Sequence, residues 1–350
     1  MLVTININSQ VILMALYPLK LEGAPRDLGL QRGSALRDLI RALVEDYIPR
    51  IRESEEHMKI RDHIEEALMK NFPEFLEELE GIAEGSGVAC NDLLLLIAWW
   101  SYPTGCSNVA LTETVIGPVL GSTLDVGLDP YRVMLFYKPK DGYSFVTVSR
   151  VDNLSAARAM NEEGLCIGGS STKAIDKCMG FPRYVTLRAV AQYCATVDEA
   201  LKLLSKYKEG FRNPFNVILV DSEGDAAVVE FSNCEMEVRK PENGGIACTN
   251  HYETRLAELE ARGMAQVFES KTRYARLLDF IRKCNREKPI EEMMKILRSH
   301  GPGGICQHGP PQALHATLAF IMVPRKRWFY VSQPPGPYCL AKFIRYEPFK

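Results

Sequence analysis

The sequence has no excess of charge of either sign: its 350 residues carry 42 Lys and Arg against 44 Asp and Glu, a formal charge of −2. That balance removes the electrostatic case for nucleic acid or an acidic membrane surface as a partner. Long hydrophobic runs are missing too, since "VILMALY" and "LLLLIAWW" fall far short of a bilayer span. The start, "MLVTININSQVILMALYPLK", has no basic residue ahead of its apolar part, so it lacks the pattern of an export signal. No G-x-G-x-x-G or G-x-x-x-x-G-K motif opens a helix after a strand, which excludes the common nucleotide phosphate cradles. Internal repeats, low-complexity tracts and obvious linkers are absent as well. The ten cysteines are irregularly spaced, and without an export signal they read as reduced, mostly buried thiols of a cytoplasmic protein.

What is present is a globular composition, 46% hydrophobic and 25% charged, with ample material for a core. Two regimes meet near Gly105. Val3, Ile5 and Ile7 alternate with polar neighbours as in a half-buried strand, and from about Asp27 to Trp100 the periodicity is helical. "RDLIRALVEDYIPRIRE" sets Leu39, Ile40, Leu43, Val44, Tyr47, Ile48 and Ile51 on one stripe. "FPEFLEELEGIAEGSGV" starts on a proline and ends in glycines suited to a helix C-terminus. Asn91 or Asp92 is placed to cap the next helix. Beyond Cys106 come β-branched and aromatic runs: "TVIGPVLGSTLD", "YRVMLFYKPKDGYSFVTVSR" broken by a turn, "GLCIGGSS", "FNVILVDSEGDAAVVEFSNCEMEVRK" and "GIACTNH". Helical pairs separate them, and the end is again hairpin-like. The expected class is α+β, with mainly antiparallel sheets covered by helices rather than a βαβ parallel sheet.

The chemistry centres on "SYPTGCSNVAL", residues 101–111. Gly105 presents no side chain to block attack on its carbonyl and tolerates strained backbone angles. A cysteine thiol becomes a strong nucleophile beside a base. Attack of Cys106 on the Gly105 carbonyl would give a thioester by an N-to-S acyl shift, which water would open. Cys106 would then be an N-terminus. A free α-amine ordinarily titrates at roughly 7.7–8.0, which suits a general base near neutrality. Taken alone, a cysteine beside glycine is more often a buried thiol.

Residues 72–125 resemble the acyl-coenzyme A:6-aminopenicillanic acid acyltransferase family of N-terminal-nucleophile hydrolases, through "FPEFLEELEGIAEGSGV", "GCSNVAL" and "VLGSTLD". The likeness continues in the family's order through "MNEEGL", "FNVILVDSEGDAAVVEFS", "CTNH", "ICQHG" and "ATLAFIMVP". It implies a four-layer αββα sandwich, and hence one domain over residues 1–350. It also implies self-cleavage into a helical α-chain, 1–105, and a catalytic β-chain, 106–350, and acyl-cysteine chemistry on an amide or thioester. Cys106 then becomes the nucleophile and Gly105 the residue before the cut. Ser107 stands where a small hydroxyl helps hold the reacting group. Asp125 matches an aspartate that bonds the new ammonium, although an aspartate close to Gly127 also reads as a turn residue. Asn250 matches an oxyanion donor. His251 is placed to orient Asn250 or line the pocket, and Thr317 matches a residue near the site. Two positions depart from the pattern: Ser122 stands where the family often has a polar or basic residue, and the bulky "IAWW" stands where an asparagine is common. The aromatic "WWSY" would suit a hydrophobic acyl group.

The resemblance implies no cofactor and no metal at the nucleophile. Its partner is a small acyl amide or thioester, with neither nucleic acid nor membrane, and a homo-oligomer is left open. Two other readings compete. One is an uncleaved binding module on the same fold. The other is a zinc-dependent hydrolase using Cys306, His308 and His315, whose C-x-H spacing matches no common ligand set.

Overall fold

Two sheets lie face to face, and the alternation of apolar residues along their strands determines what each face covers. The computed structural model describes residues 18–99, 105–126, 131–207, 210–261, 269–308, 315–333 and 337–350. The alternating segment Val3–Ile7 and residues 100–104, which hold most of "WWSY", lie outside these.

In sheet order, the first sheet runs β1 (Pro18–Gly23), β4 (Arg132–Pro139), β5 (Phe145–Arg150), β6 (Arg158–Asn161), β7 (Cys166–Ser171), β10 (Phe215–Val220), β11 (Ala226–Phe231) and β12 (Met236–Arg239). The second runs β13 (Gly245–Cys248), β2 (Asn108–Leu111), β3 (Val119–Val126), β14 (His315–Val323), β15 (Trp328–Ser332) and β16 (Phe343–Tyr346). A two-residue parallel pair, β8 (Phe181–Pro182) with β9 (Phe211–Arg212), stands apart. Neighbours are antiparallel, as the sequence implies, except that β1 runs parallel to β4 with Leu21 opposite Tyr137. That edge was not legible, because "PLKLEG" is short and its partner is more than a hundred residues away.

The N-terminal helices are α1 (Pro25–Ala35), α2 (Arg37–Ile51), α3 (Glu55–Asn71), α4 (Pro73–Ser86) and α5 (Cys90–Trp99); α6 (Arg183–Tyr193) and α7 (Val197–Ser205) join them. Leu135, Tyr137, Ile167 and Val217 of the first sheet bury in one core with Leu28, Leu79, Ile82 and Val190 of this helical layer. Met134, Val146, Met160 and Ile218 face the other way, onto Ala110, Leu120, Leu124 and Phe320 of the second sheet. The outer side of the second sheet, Val109, Val119 and Ile321, buries against Leu277 and Ile281 of α8 (Ser270–Lys283) and Met293 and Leu297 of α9 (Pro289–Leu297). The layers therefore read α, β, β, α. Each fully buried aliphatic or aromatic side chain contributes about 1.5–3 kcal/mol.

Glycines set one helix crossing. A Cβ on Gly33 would sit 2.3 Å from the Ile82 carbonyl oxygen, and one on Gly81 would sit 2.3 Å from that of Arg26. Helices α1 and α4 thus touch backbone to backbone. Beside them Arg188 pairs with Glu78 at 2.9 Å with both side chains buried, and Glu78 also accepts from Tyr137.

Two expectations need correction. Helix α5 begins at Cys90, so Asn91 and Asp92 lie in its first turn rather than at its cap, and Asp92 pairs with Arg52 at 2.6 Å. The cysteines are not all thiols: Cys178 and Cys234 form a disulfide, and five of the remaining eight are buried. Among the described residues no single helix is long and apolar enough to cross a membrane.

Candidate active site

Cys106 lies on an extension of β2. Gly105 and Asp125 exchange backbone hydrogen bonds of 2.8 and 2.7 Å, and Thr123 N–H donates to the Ser107 carbonyl at 2.9 Å, so residues 105–107 continue the β2–β3 ladder. The strand period then turns the Cys106 side chain into the layer between the sheets, where it is 1% exposed. Gly105 and Ser107 fall in the opposite phase.

Side chains from three distant segments hold Cys106. Arg158, on β6 of the facing sheet, brings Nη2 to 2.9 Å from the sulfur, and the same nitrogen lies 2.9 Å from the Thr123 carbonyl and 2.8 Å from that of Gly169. The Cys106 amide donates to Asn250 Oδ1 at 2.9 Å. Arg273, on α8, donates to the Cys106 carbonyl at 2.8 Å, to Ser107 Oγ at 2.7 Å and to Asn250 Oδ1 at 2.8 Å. Two donors meeting at one atom identify that atom of Asn250 as the oxygen.

Asp125 is fully buried and stands out of phase with the thiol. Its carboxylate accepts from Thr123 Oγ1 at 3.2 Å and from the Tyr338 hydroxyl at 3.1 Å, on the side covered by α8 and α9. Burial pushes this carboxyl up to about 7, against the opposing pull of Arg273. Burial likewise lowers the Arg273 guanidinium, with Asp125 acting against it. In the uncut chain the acceptor on the Cys106 amide is Asn250 Oδ1, and Asp125, which the resemblance gives to the new ammonium, faces Tyr338 and Thr123. Asn250 Nδ2 donates to the Ser171 carbonyl at 2.8 Å, which engages one of its two N–H groups.

His251 does not line the cleft. Its Nδ1 meets Ser270 Oγ at 2.7 Å and its Nε2 meets Glu253 at 2.6 Å. Ser270 Oγ also accepts from the Asn250 amide at 2.9 Å, so His251 fixes the hydroxyl that fixes Asn250. That bond to His251 holds the Glu253 carboxyl below its ordinary value. Thr317 sits at a bulge in β14 and donates to the Val126 carbonyl at 3.0 Å. Ser122 donates to Asn108 Oδ1 at 2.6 Å. The basic group absent from the Ser122 position comes instead across the sheets, from Arg158.

Cys106 lies in the wall of a cleft of about 610 Å³, mouth included, together with Arg132, Arg150, Arg158 and Arg183. Leu124, Val148, Leu187 and Phe215 supply apolar wall, and among the described residues no Asp or Glu lines it. Trp99 is no part of it and packs on Tyr47 at 4.9 Å within the helical layer.

Arg158, Arg273, Tyr338 and Thr123 escaped the sequence reading, although two of them left a trace. Arg158 is a lone arginine in "RAMN", a strand buried at every position. Arg273 shares a helical face with Leu277 and Ile281, i, i+4 and i+8, where a core residue is due.

The family model described as acyl-coenzyme A:6-aminopenicillanic acid acyl-transferase matches residues 115–334, beginning after Cys106. An uncharacterized protein of Archaeoglobus fulgidus is 26% identical over 274 residues, covering 64% of this chain and 45% of that one, so the chain spans less than half of that relative's length. Among solved structures, penicillin V acylase from Agrobacterium tumefaciens is 16% identical with a TM-score of 0.47, covering 68% of this chain and 86% of that one. A mutant conjugated bile acid hydrolase from Clostridium perfringens is 12% identical with a TM-score of 0.48, covering 69% and 96%. A Caenorhabditis elegans ortholog of N-acylethanolamine-hydrolyzing acid amidase is 11% identical with a TM-score of 0.44, covering 63% and 93%.

Proposed function

Because the chain belongs to the acyl-coenzyme A:6-aminopenicillanic acid acyl-transferase family, we propose that it is an acyl amidase or acyltransferase with Cys106 as nucleophile, freed by scission of Gly105–Cys106. The observation that carries this reading is the three-way hold on Cys106: sulfur by Arg158, amide by Asn250 and carbonyl by Arg273. The amide and carbonyl would need partners in any buried residue; the arginine on the sulfur is what a merely buried thiol does not need.

In the maturation step, Cys106 Sγ attacks the Gly105 carbonyl and the C–N bond breaks. The nitrogen takes the thiol proton, and water then opens the thioester, leaving a Gly105 carboxylate and a Cys106 amine. In turnover that amine, held by Asn250 Oδ1, takes the thiol proton. The thiolate attacks the substrate carbonyl, and Arg158 stabilises first the thiolate and then the developing oxyanion. The leaving amine or thiol departs with the proton. Water or an acceptor amine attacks the acyl-cysteine and returns a proton to the sulfur. Asp125 acts through Arg273 and the strand backbone.

The arginines of the cleft wall, of which Arg150 is paired with Asp152 at 2.9 Å while Arg132, Arg158 and Arg183 have no carboxylate among the described lining residues, favour a substrate that carries a carboxylate or another anion beside an apolar acyl part. Mass spectrometry of the purified full chain tests the reading. It should give fragments ending at Gly105 and starting at Cys106, Cys106→Ala should stay whole, and acyl amides with a free carboxylate should be turned over in preference to their esters. An intact wild-type chain whose Cys106 takes up no acyl group from any such amide would leave the uncleaved binding module instead.

A further inference from the structure

Away from Cys106, on the outer side of the second sheet, four soft donor side chains converge. We propose that His300, Cys306, His308 and Cys339 bind one zinc ion as a tetrahedral two-nitrogen, two-sulfur site. Their ligand atoms all lie within 4.8 Å of one another. His308 Nε2 is the focus: His300 Nε2 is 3.0 Å away, and the sulfurs of Cys306 and Cys339 are each 3.4 Å away.

Hydrogen bonding does not account for that focus. An imidazole nitrogen carries one proton or one lone pair, and here three donor or acceptor atoms crowd against the same nitrogen. A central ion serves all four. With Zn–S of about 2.3 Å and Zn–N of about 2.0–2.1 Å, tetrahedral geometry separates ligand atoms by about 3.3–3.8 Å, against 3.0 and 3.4 Å for the three distances to His308 and at most 4.8 Å for the other pairs. The charges also balance: both thiols release their protons on binding, and two thiolates with two neutral imidazoles cancel the ion's charge.

The chain is shaped to present these ligands. Gly301 and Gly303, with φ of 82° and 65°, turn the backbone between His300 and Cys306. Arg276 donates to the His300 carbonyl at 3.0 Å, and the Cys306 amide donates to the Ser299 carbonyl at 3.0 Å. Sequence spacing grouped His315 with Cys306 and His308; the His315 side chain lies outside the described residues, among which His300 and Cys339 join Cys306 and His308, Cys339 from 31 positions past His308. The ion's role would be structural, since all four positions are filled. Ile305 and Tyr338 adjoin two of the ligands, and the Tyr338 hydroxyl donates to both the Ile305 carbonyl, at 2.8 Å, and Asp125. The ion therefore clamps the two segments that hold Tyr338 on Asp125.

The test uses the full chain, dialysed against metal-free buffer. Elemental analysis should find about one zinc per chain, and cobalt-substituted protein should show the intense visible absorption of a tetrahedral thiolate site. Cys339→Ser and His300→Asn should each weaken zinc binding by about 100-fold or more. His300 is exposed, so its variant should keep the wild-type circular dichroism spectrum even where Cys339→Ser fails to fold. Three results overturn the proposal: reduced wild-type chain that takes up neither zinc nor cobalt, a native Cys306–Cys339 disulfide in its place, or full zinc in His300→Asn.

Discussion

Arg158 reaches across the space between two sheets to set Nη2 2.9 Å from Cys106 Sγ. A charge-assisted hydrogen bond of this kind is worth about 1.5–3 kcal/mol, or about 10–100-fold in the rate of a step whose transition state it stabilises. Arg158→Gln should therefore slow alkylation of Cys106 by iodoacetamide at pH 7 by that factor, while Arg132→Gln leaves the rate near wild type. Equal rates in wild type and Arg158→Gln would remove Arg158 from the nucleophile's activation.

Arg273 is the wedge under the same residue. It is completely buried and donates to Cys106, Ser107 and Asn250. Arg273→Met leaves the Cys106 carbonyl and Ser107 Oγ without this donor and Asn250 Oδ1 with one of its two, and should destabilise the fold by about 3–5 kcal/mol, read from denaturant midpoints at constant slope. It should also abolish scission at Gly105. A stable, fully cleaved variant would show that Arg273 only fills space.

The Asp125 carboxyl rises from 3.8 to about 7 through burial. Between those values the folded chain keeps a proton that the unfolded chain has released, so this group makes stability fall as pH rises from about 4 to about 7, and adds no slope above that. The whole effect is on the order of 4 kcal/mol. Asp125→Asn should flatten the slope and gain on wild type as pH rises. Parallel melting curves for the two proteins from pH 4 to 8 would contradict the assignment.

Helices α1 and α4 supply a control remote from the cleft. Gly33→Ala puts a methyl 2.3 Å from the Ile82 carbonyl oxygen, so the helices must part. The expected loss is at least about 1–3 kcal/mol, with Cys106 reactivity unchanged in the folded fraction. An unaltered melting temperature would mean that the crossing yields without cost.

Where periodicity decides structure, the sequence was readable. The turn in "YRVMLFYKPKDGYSFVTVSR" separates β4 from β5, and the glycines of "AEGSGV" end α4 at Gly87, whose φ is 71°. Cys106, Asn250 and Ser107 could be nominated because a local motif surrounds each of them. Arg158 and Arg273 could not, because neither neighbours the nucleophile in sequence and each enters the site only through tertiary packing. The phase of Asp125 was hidden for a related reason: which face of β3 meets which layer depends on the second sheet's partners. The zinc ligands failed on spacing, since Cys339 arrives from a separate segment.

β1 and the five helices after it precede residue 105, yet β1 is hydrogen-bonded along its length to β4 and the helices close the first sheet's outer core. Breaking the chain at Gly105 would thus alter connectivity without altering the particle. The two pieces would share one sheet and one interior, sediment together and melt in a single transition. Separating them would mean unfolding both, so maturation would leave size and hydrodynamic measurements on the native protein unchanged.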